Sequence, residues 1–254
     1  MHEHHRQTIE NLRKHLEPDP TNLALIVIGS VARGEAGPQS DVDFYLVVPE
    51  PVFDELSASN ATGVDASHCC VAPAGGCGGM AITKSRLQDL CERGNEFLRW
   101  SFTNAQVIFS RDPEIDVLVK KILTYPEEGR RRRMESYHSQ VYFHFSFFEF
   151  AYYSQTKYLV YQTATQMLLA AGRLILADNR RLYPGRKWFY RELERTSDKP
   201  EGLCEAMLAF LDTPTIEAGQ GIIEMLTRHK AYPVPPEGMQ ARILKESSLN
   251  LEEW

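Results

Sequence analysis

The chain has 254 residues, 43% hydrophobic and 24% charged, with a formal net charge of −6. That length supplies core for one large domain or two modest ones, and the composition excludes extended disorder. The acidic balance argues against extended nucleic-acid binding and tolerates a cationic substrate. No apolar run reaches membrane-spanning length, and residues 1–20 are too polar for a signal peptide. Five cysteines, an odd number that includes the adjacent Cys69 and Cys70, fit reduced thiols in a cytoplasmic protein. Self-association is left open.

Residues 8–16 place Ile9, Leu12 and Leu16 at helical spacing before Pro18 and Pro20, which predicts a helix packed on the first strand. Residues 23–28 form an apolar run of strand length. Gly29-Ser30 follows, where the missing side chain lets backbone approach a bulky anion. Residues 31–36 predict a short helix, Gly37-Pro38 a break, and residues 41–48 a second strand. Residues two apart on a strand share a face, so Asp41 and Asp43 sit side by side, with Val42 and Phe44 opposite. Two adjacent carboxylates repel, and a divalent cation relieves that repulsion. Oxygen-only ligands suit magnesium, which takes substrate phosphates as further ligands.

Gly29, Ser30, Ala32, Arg33 and Gly34, followed by Ser40, Asp41 and Asp43, resemble the signature of the DNA polymerase β-type nucleotidyltransferases. The stretch looks closest to their small bacterial members, which include aminoglycoside- and lincosamide-type antibiotic nucleotidyltransferases. The resemblance implies a mixed-sheet α/β domain, magnesium as two ions, and a nucleoside triphosphate, ATP, as co-substrate. It further implies that Gly29, Ser30, Arg33 and Ser40 serve the nucleotide while Asp41 and Asp43 hold metal. Arg33 has a second reading as a tie between the short helix and an acidic neighbour.

Proline-flanked residues 53–59 suit a short helix or loop. Residues 63–70 form the next predicted strand, with Asp65 and Ser67 on one face. Members of the resembling family carry a third carboxylate on a strand beside the first two. Asp65 is the residue placed for that role, as metal ligand and catalytic group; an edge-strand aspartate facing solvent is the alternative. Residues 70–80 are rich in small residues and predict a mobile loop. His68, Cys69, Cys70 and Cys77 lack paired zinc-ligand spacing, so no zinc is expected. Ser85 with Gln88 reads as a capping box opening a helix to Arg93, residues 106–109 as a strand, and Ile115, Leu118, Val119 and Ile122 as one helical face.

The first domain is expected to span 1–125 and an all-α bundle 126–254. Helices are predicted over 127–155, 157–179, 187–194, 203–211 and 215–229, with an exposed helix or loose tail from Gln240. Arg133 and His138 match an R-x4-H pattern of HEPN-type ribonucleases, though a run of four arginines reads first as a solvated basic face. His138, Tyr142, Phe145, Glu149 and Tyr152 recur every three to four residues along one stripe. Glu149 among aromatics is desolvated, which suits it to take a proton from a substrate hydroxyl; an ion pair with Lys157 or Arg173 is the other reading. Residues 179–193 resemble the asparagine, proline and Lys-Trp segment of the antibiotic enzymes' helical domain, which implies that Lys187 contacts nucleotide phosphates.

These expectations describe an enzyme that transfers a nucleoside monophosphate, AMP, from a triphosphate to a hydroxyl of a small molecule, with antibiotics among the acceptors. Asp41, Asp43, Asp65 and Glu149 are its catalytic candidates. An antitoxin-like enzyme that adenylylates a protein is the alternative, as is a nucleotide-binding protein without turnover.

Overall fold

The chain divides into two compact units, Met1–Thr124 and Tyr125–Trp254; the computed structural model describes residues 1–249. No described helix is long and apolar enough to cross a membrane.

The first unit is built on a five-stranded mixed sheet. Its strands are β1 (Ala24–Ile28), β2 (Val42–Val47), β3 (Gly63–Asp65), β4 (Cys77–Ile82) and β5 (Gln106–Ser110), in the order β3-β4-β2-β1-β5. Only β2 and β4 run parallel; the other pairs are antiparallel. Central β1 is apolar throughout because it is covered on both faces. Leu25 and Val27 pack with Phe44 and Leu46 of β2 and with Leu12 and Leu16 of α1 (Glu3–Leu16). Ala24 and Ile26 pack on the other side with Leu87 of α4 (Lys84–Arg93), Phe102 after α5 (Glu96–Ser101), and Ile115 and Ile122 of α6 (Pro113–Ile122). Between β1 and β2 lies α2 (Gly29–Arg33), and between β2 and β3 lies α3 (Glu50–Ala58).

Four expectations change here. The short helix begins at Gly29 and ends at Arg33, because Gly34 takes a left-handed φ of 76° and stops it. The strand predicted over 63–70 ends at Asp65 and turns into a 3-10 turn, Ser67–Cys69. The predicted loop 70–80 yields β4, the strand that joins β3 to the rest of the sheet. Glycine and cysteine hid it: Gly79 packs flat on the Phe44 ring, where an added Cβ would come within 2.4 Å. The cap of α4 is Thr83, which accepts from the Arg86 N–H, and Ser85 instead bonds Thr83 and Glu50.

The second unit contains α7 (Arg130–Tyr153), α8 (Lys157–Asp178), α9 (Phe189–Glu194), α10 (Leu203–Asp212), α11 (Ile216–His229) and α12 (Met239–Leu249), with no strand among its described residues. A short connection at 154–156 turns the chain back. Arg130, at the start of α7, donates to the carbonyls of Ala177 and Asp178 at the end of α8 (2.7 and 2.6 Å). Arg133 likewise bonds the Pro126 carbonyl. The arginine run is therefore partly a set of ties rather than a wholly solvated face. Phe148, Met167, Leu168, Met207 and Phe210 fill the core. Gly172 lets α8 meet the Phe189 ring directly, within 2.1 Å of where a Cβ would stand. The expected exposed tail is anchored: buried Arg242 of α12 pairs with Glu237 (2.7 Å) and with Glu135 of α7 (3.2 Å). Residues 250–254 lie outside the described residues.

Candidate active site

The strand register assembles a row across the sheet. Ile28 of β1 pairs with Asp43 of β2, Asp43 with Gly78 of β4, and Gly78 with Asp65 of β3. Directly opposed residues point to the same face, so Asp43, Gly78 and Asp65 stand in line. Asp41 precedes β2 by one position, and the Val42 N–H donates to the Gly76 carbonyl at 3.0 Å. All three aspartates are exposed and line one cavity of about 780 Å³, which Tyr45, Gly63 and Met80 also line.

Glycines make room for these carboxylates. Gly29 has φ +73°, and a Cβ on it would fall 2.5 Å from an Asp43 carboxylate oxygen. Its backbone freedom therefore serves the Asp43 side chain, where the sequence pointed to an anion. A Cβ on Gly75 would fall 2.5 Å from Asp41 Oδ1. At Gly78 the same construction meets nothing within 4 Å, so the space between Asp43 and Asp65 is open.

The electrostatics favour the charged form of Asp65 and the neutral form of the neighbouring thiol. Asp65 Oδ1 accepts from the Ser67 N–H at 2.9 Å, which holds its carboxyl below the usual range. Burial pushes the Cys77 thiol up to about 12, and Cys69, Cys70, Asp43 and Asp65 add to the effect. Burial also raises Tyr45, with the Asp43 charge behind it.

No three His, Cys, Asp or Glu among the described residues form a ready metal cluster. The row explains this. With strands about 4.8 Å apart, Asp43 and Asp65 are about 10 Å apart at Cα, so their carboxylates are not already gathered at one point. Asp41, Asp43 and Asp65 would hold magnesium there, and the metal would supply neutralisation of phosphate charge. The oxygen-only donors, the glycine cradles and the open position at Gly78 fit magnesium.

The other predicted residues are placed as follows. Arg33 is nearly buried, pairs with Glu35 at 3.2 Å and lies 4.3 Å over the Trp100 ring, which is the structural tie rather than a free phosphate clamp. The Ser40 hydroxyl accepts from the Gly37 N–H at 3.0 Å, and its carbonyl contacts buried His5 Nε2 at 3.1 Å. Ser40 thus shapes the turn that delivers Asp41. Ser30 is half-buried on the first turn of α2. In the second unit, Lys187 is exposed with Nζ 5.3 Å from the Trp188 ring. Asn179, from the same resembling segment, caps by donating to the Ile175 and Asp198 carbonyls. Glu149 is half-buried and has neither Lys157 nor Arg173 as an ion-pair partner among the described residues; Arg173 lies between Tyr137 and Tyr183. The stripe containing Glu149 is mixed, since Phe145 belongs to the core while Tyr142 and Tyr152 are exposed. Sequence reasoning missed Gly78 because it missed β4; the Met80-Ala81-Ile82 run ahead of the Thr83 cap was the available signal.

Residues 6–74 match the family described as Nucleotidyltransferase domain, a span that holds all three aspartates and ends before β4. No curated protein matches the chain. Among solved structures, a nucleotidyltransferase-like protein from Exiguobacterium sibiricum 255-15 shares the fold, with a TM-score of 0.52 at 15% identity, over 97% of this chain and 88% of that one. Residues 6–74 are thus similar to a nucleotidyltransferase domain, a match consistent with the resemblance to the DNA polymerase β-type superfamily.

Proposed function

We propose that the protein is a magnesium-dependent enzyme that transfers AMP from ATP to a hydroxyl of a small molecule, antibiotics being within that class, and releases pyrophosphate. The row of Asp43, Gly78 and Asp65, with Asp41 beside it, carries this reading. Asp41 and Asp43 hold the metal that accompanies the triphosphate, and Asp65 serves the acceptor side of the open space. Bound magnesium neutralises the triphosphate and favours departure of pyrophosphate. The acceptor oxygen bonds to the α-phosphorus, the α–β anhydride bond breaks with its electron pair on pyrophosphate, and the hydroxyl proton leaves to a carboxylate. Asp65, held ionised by Ser67, is the acceptor for that proton in the first unit. Glu149 is proposed for the same role on its chemistry alone, as a half-buried carboxylate without an ion-pair partner among the described residues. Gly29 and Ser30 are assigned to the phosphates because they turn the chain beside Asp43. Lys187 is assigned to them by the resemblance of its segment.

The test is pyrophosphate release by the full chain with each nucleoside triphosphate, magnesium, and a panel of hydroxyl-bearing small molecules that includes aminoglycosides and lincosamides. Asp43→Asn should abolish release at unchanged melting temperature. Asp65→Ala should lower turnover by about 10³-fold with little change in nucleotide affinity. A folded Asp43→Asn protein with near-normal turnover refutes the site. Nucleotide binding without release over the whole panel assigns a binding role instead, and label recovered on protein moves the acceptor to that class.

A further inference from the structure

The second unit has a cavity of its own, of about 660 Å³, lined by residues of α8, the 3-10 turn at Arg186–Trp188, α9 and α10. That is the size of a pocket for a drug-sized molecule. Tyr158 and Tyr161 line it and are 76% and 41% exposed, an unusual outlay of aromatic surface to water. Gln166 and Tyr190 add polar groups. Burial pushes the Tyr190 phenol up to about 12, which keeps its hydroxyl protonated.

The charge of the lining is one-sided. Lys157 and Arg186 line the cavity, and no aspartate or glutamate does. Neither cation has an ion-pair partner among the described residues. Several other cations of the unit are paired: Arg181 with Glu192 at 2.8 Å, Lys230 with Asp178 at 2.6 Å, and Arg130 with Asp178 at 3.1 Å. Lys157 is also the first residue of α8, where a cation opposes the helix dipole, so local helix energetics disfavour it. A basic pair kept against local preference, beside exposed aromatic faces, matches a ligand that brings its own negative charge.

We infer that this cavity binds a small organic anion with an aromatic body, whose acidic group meets Lys157 and Arg186 while the body lies against Tyr158 and Tyr161. A polycation would meet like charge there. The inference is separate from the proposed transferase chemistry, because none of the lining residues has a role in it.

The probe is 8-anilinonaphthalene-1-sulfonate, with neutral N-phenyl-1-naphthylamine as its uncharged counterpart, titrated against the full chain by fluorescence and calorimetry. The expected result is saturable binding of one sulfonate per chain, weakened at higher ionic strength. Lys157→Glu and Arg186→Glu should each raise its Kd by about tenfold or more. Affinity for the neutral probe should stay unchanged in those variants, which separates lost charge from a damaged pocket. Lys120→Glu, at an exposed position of α6, should leave both probes unaffected. Binding that never saturates, equal affinity for the two probes in the unaltered protein, or indifference to both charge reversals overturns the inference.

Discussion

Gly78 occupies the position between Asp43 and Asp65, and its one hydrogen where a side chain would stand keeps the two carboxylates in a common open space. Its backbone is not left-handed and a Cβ there meets nothing, so a strand-favouring residue fits without strain. Gly78→Val should therefore leave the unfolding free energy, measured in urea, within about 0.5 kcal/mol of the parent. The isopropyl group would stand where the proposed substrates meet, and turnover should fall by about 10²-fold. Steady-state pyrophosphate assays beside equilibrium unfolding check both halves; undiminished turnover in a well-folded variant removes the row from the chemistry. Arg33 gives a contrasting lesson at this scale. Its guanidinium is held by Glu35 and Trp100, so its place in the motif reflects the packing of α2.

At the scale of the element, β4 decides whether the site exists. It pairs with β2 on one side and β3 on the other, and only through it does Asp65 come into line with Asp43. Its docking depends on Gly79, whose Cα lies against the Phe44 ring on the face opposite the aspartates. A methyl group there must displace a fully buried aromatic, a change that costs about 1–3 kcal/mol. Gly79→Ala should show that loss in urea unfolding of the first unit, whereas its neighbour Gly78 tolerates a larger substitution. Equal stability of Gly79→Ala and the parent would contradict the packing of β4 on Phe44. Adjacent glycines thus have separate duties, one for packing and one for the site.

For the whole molecule, two units with separate cores imply separate responses to conditions. Acid acts on the second unit through His144 of α7, which is buried; burial lowers its pKa to about 4 from the ordinary 6.5. The unfolded chain therefore takes up a proton at His144 at a higher pH than the folded chain does. Stability from this group is complete above pH 6.5 and declines as pH falls toward 4, by on the order of 3 kcal/mol in all. Helical circular dichroism across a urea series from pH 7 to 4 should record the decline, and His144→Leu should flatten it. An equally steep decline in the variant would assign the acid response to other groups.

The sequence alone determined the local features that carry their own physical signature. The apolar run of β1, the aspartates two apart where β2 begins, the proline-bounded α1 and the long helices after Tyr125 were legible because periodicity, glycine and proline act on neighbours in the chain. The resemblance to nucleotidyltransferases was legible for the same reason, its residues lying within one short stretch that the family match covers. Tertiary structure decided what depends on partners far away in sequence. The strand in 77–82 is stabilised by β2 and β3 and not by its own propensity, so its glycines read as loop. Asp65 joins the row only through that strand, and Arg33 and Ser40 take their duties from Trp100, Glu35 and His5. Charge partners likewise come from distant segments, which is why the pairing of Arg242 and the lack of ion-pair partners for Lys157 and Arg186 among the described residues emerge only in the folded chain.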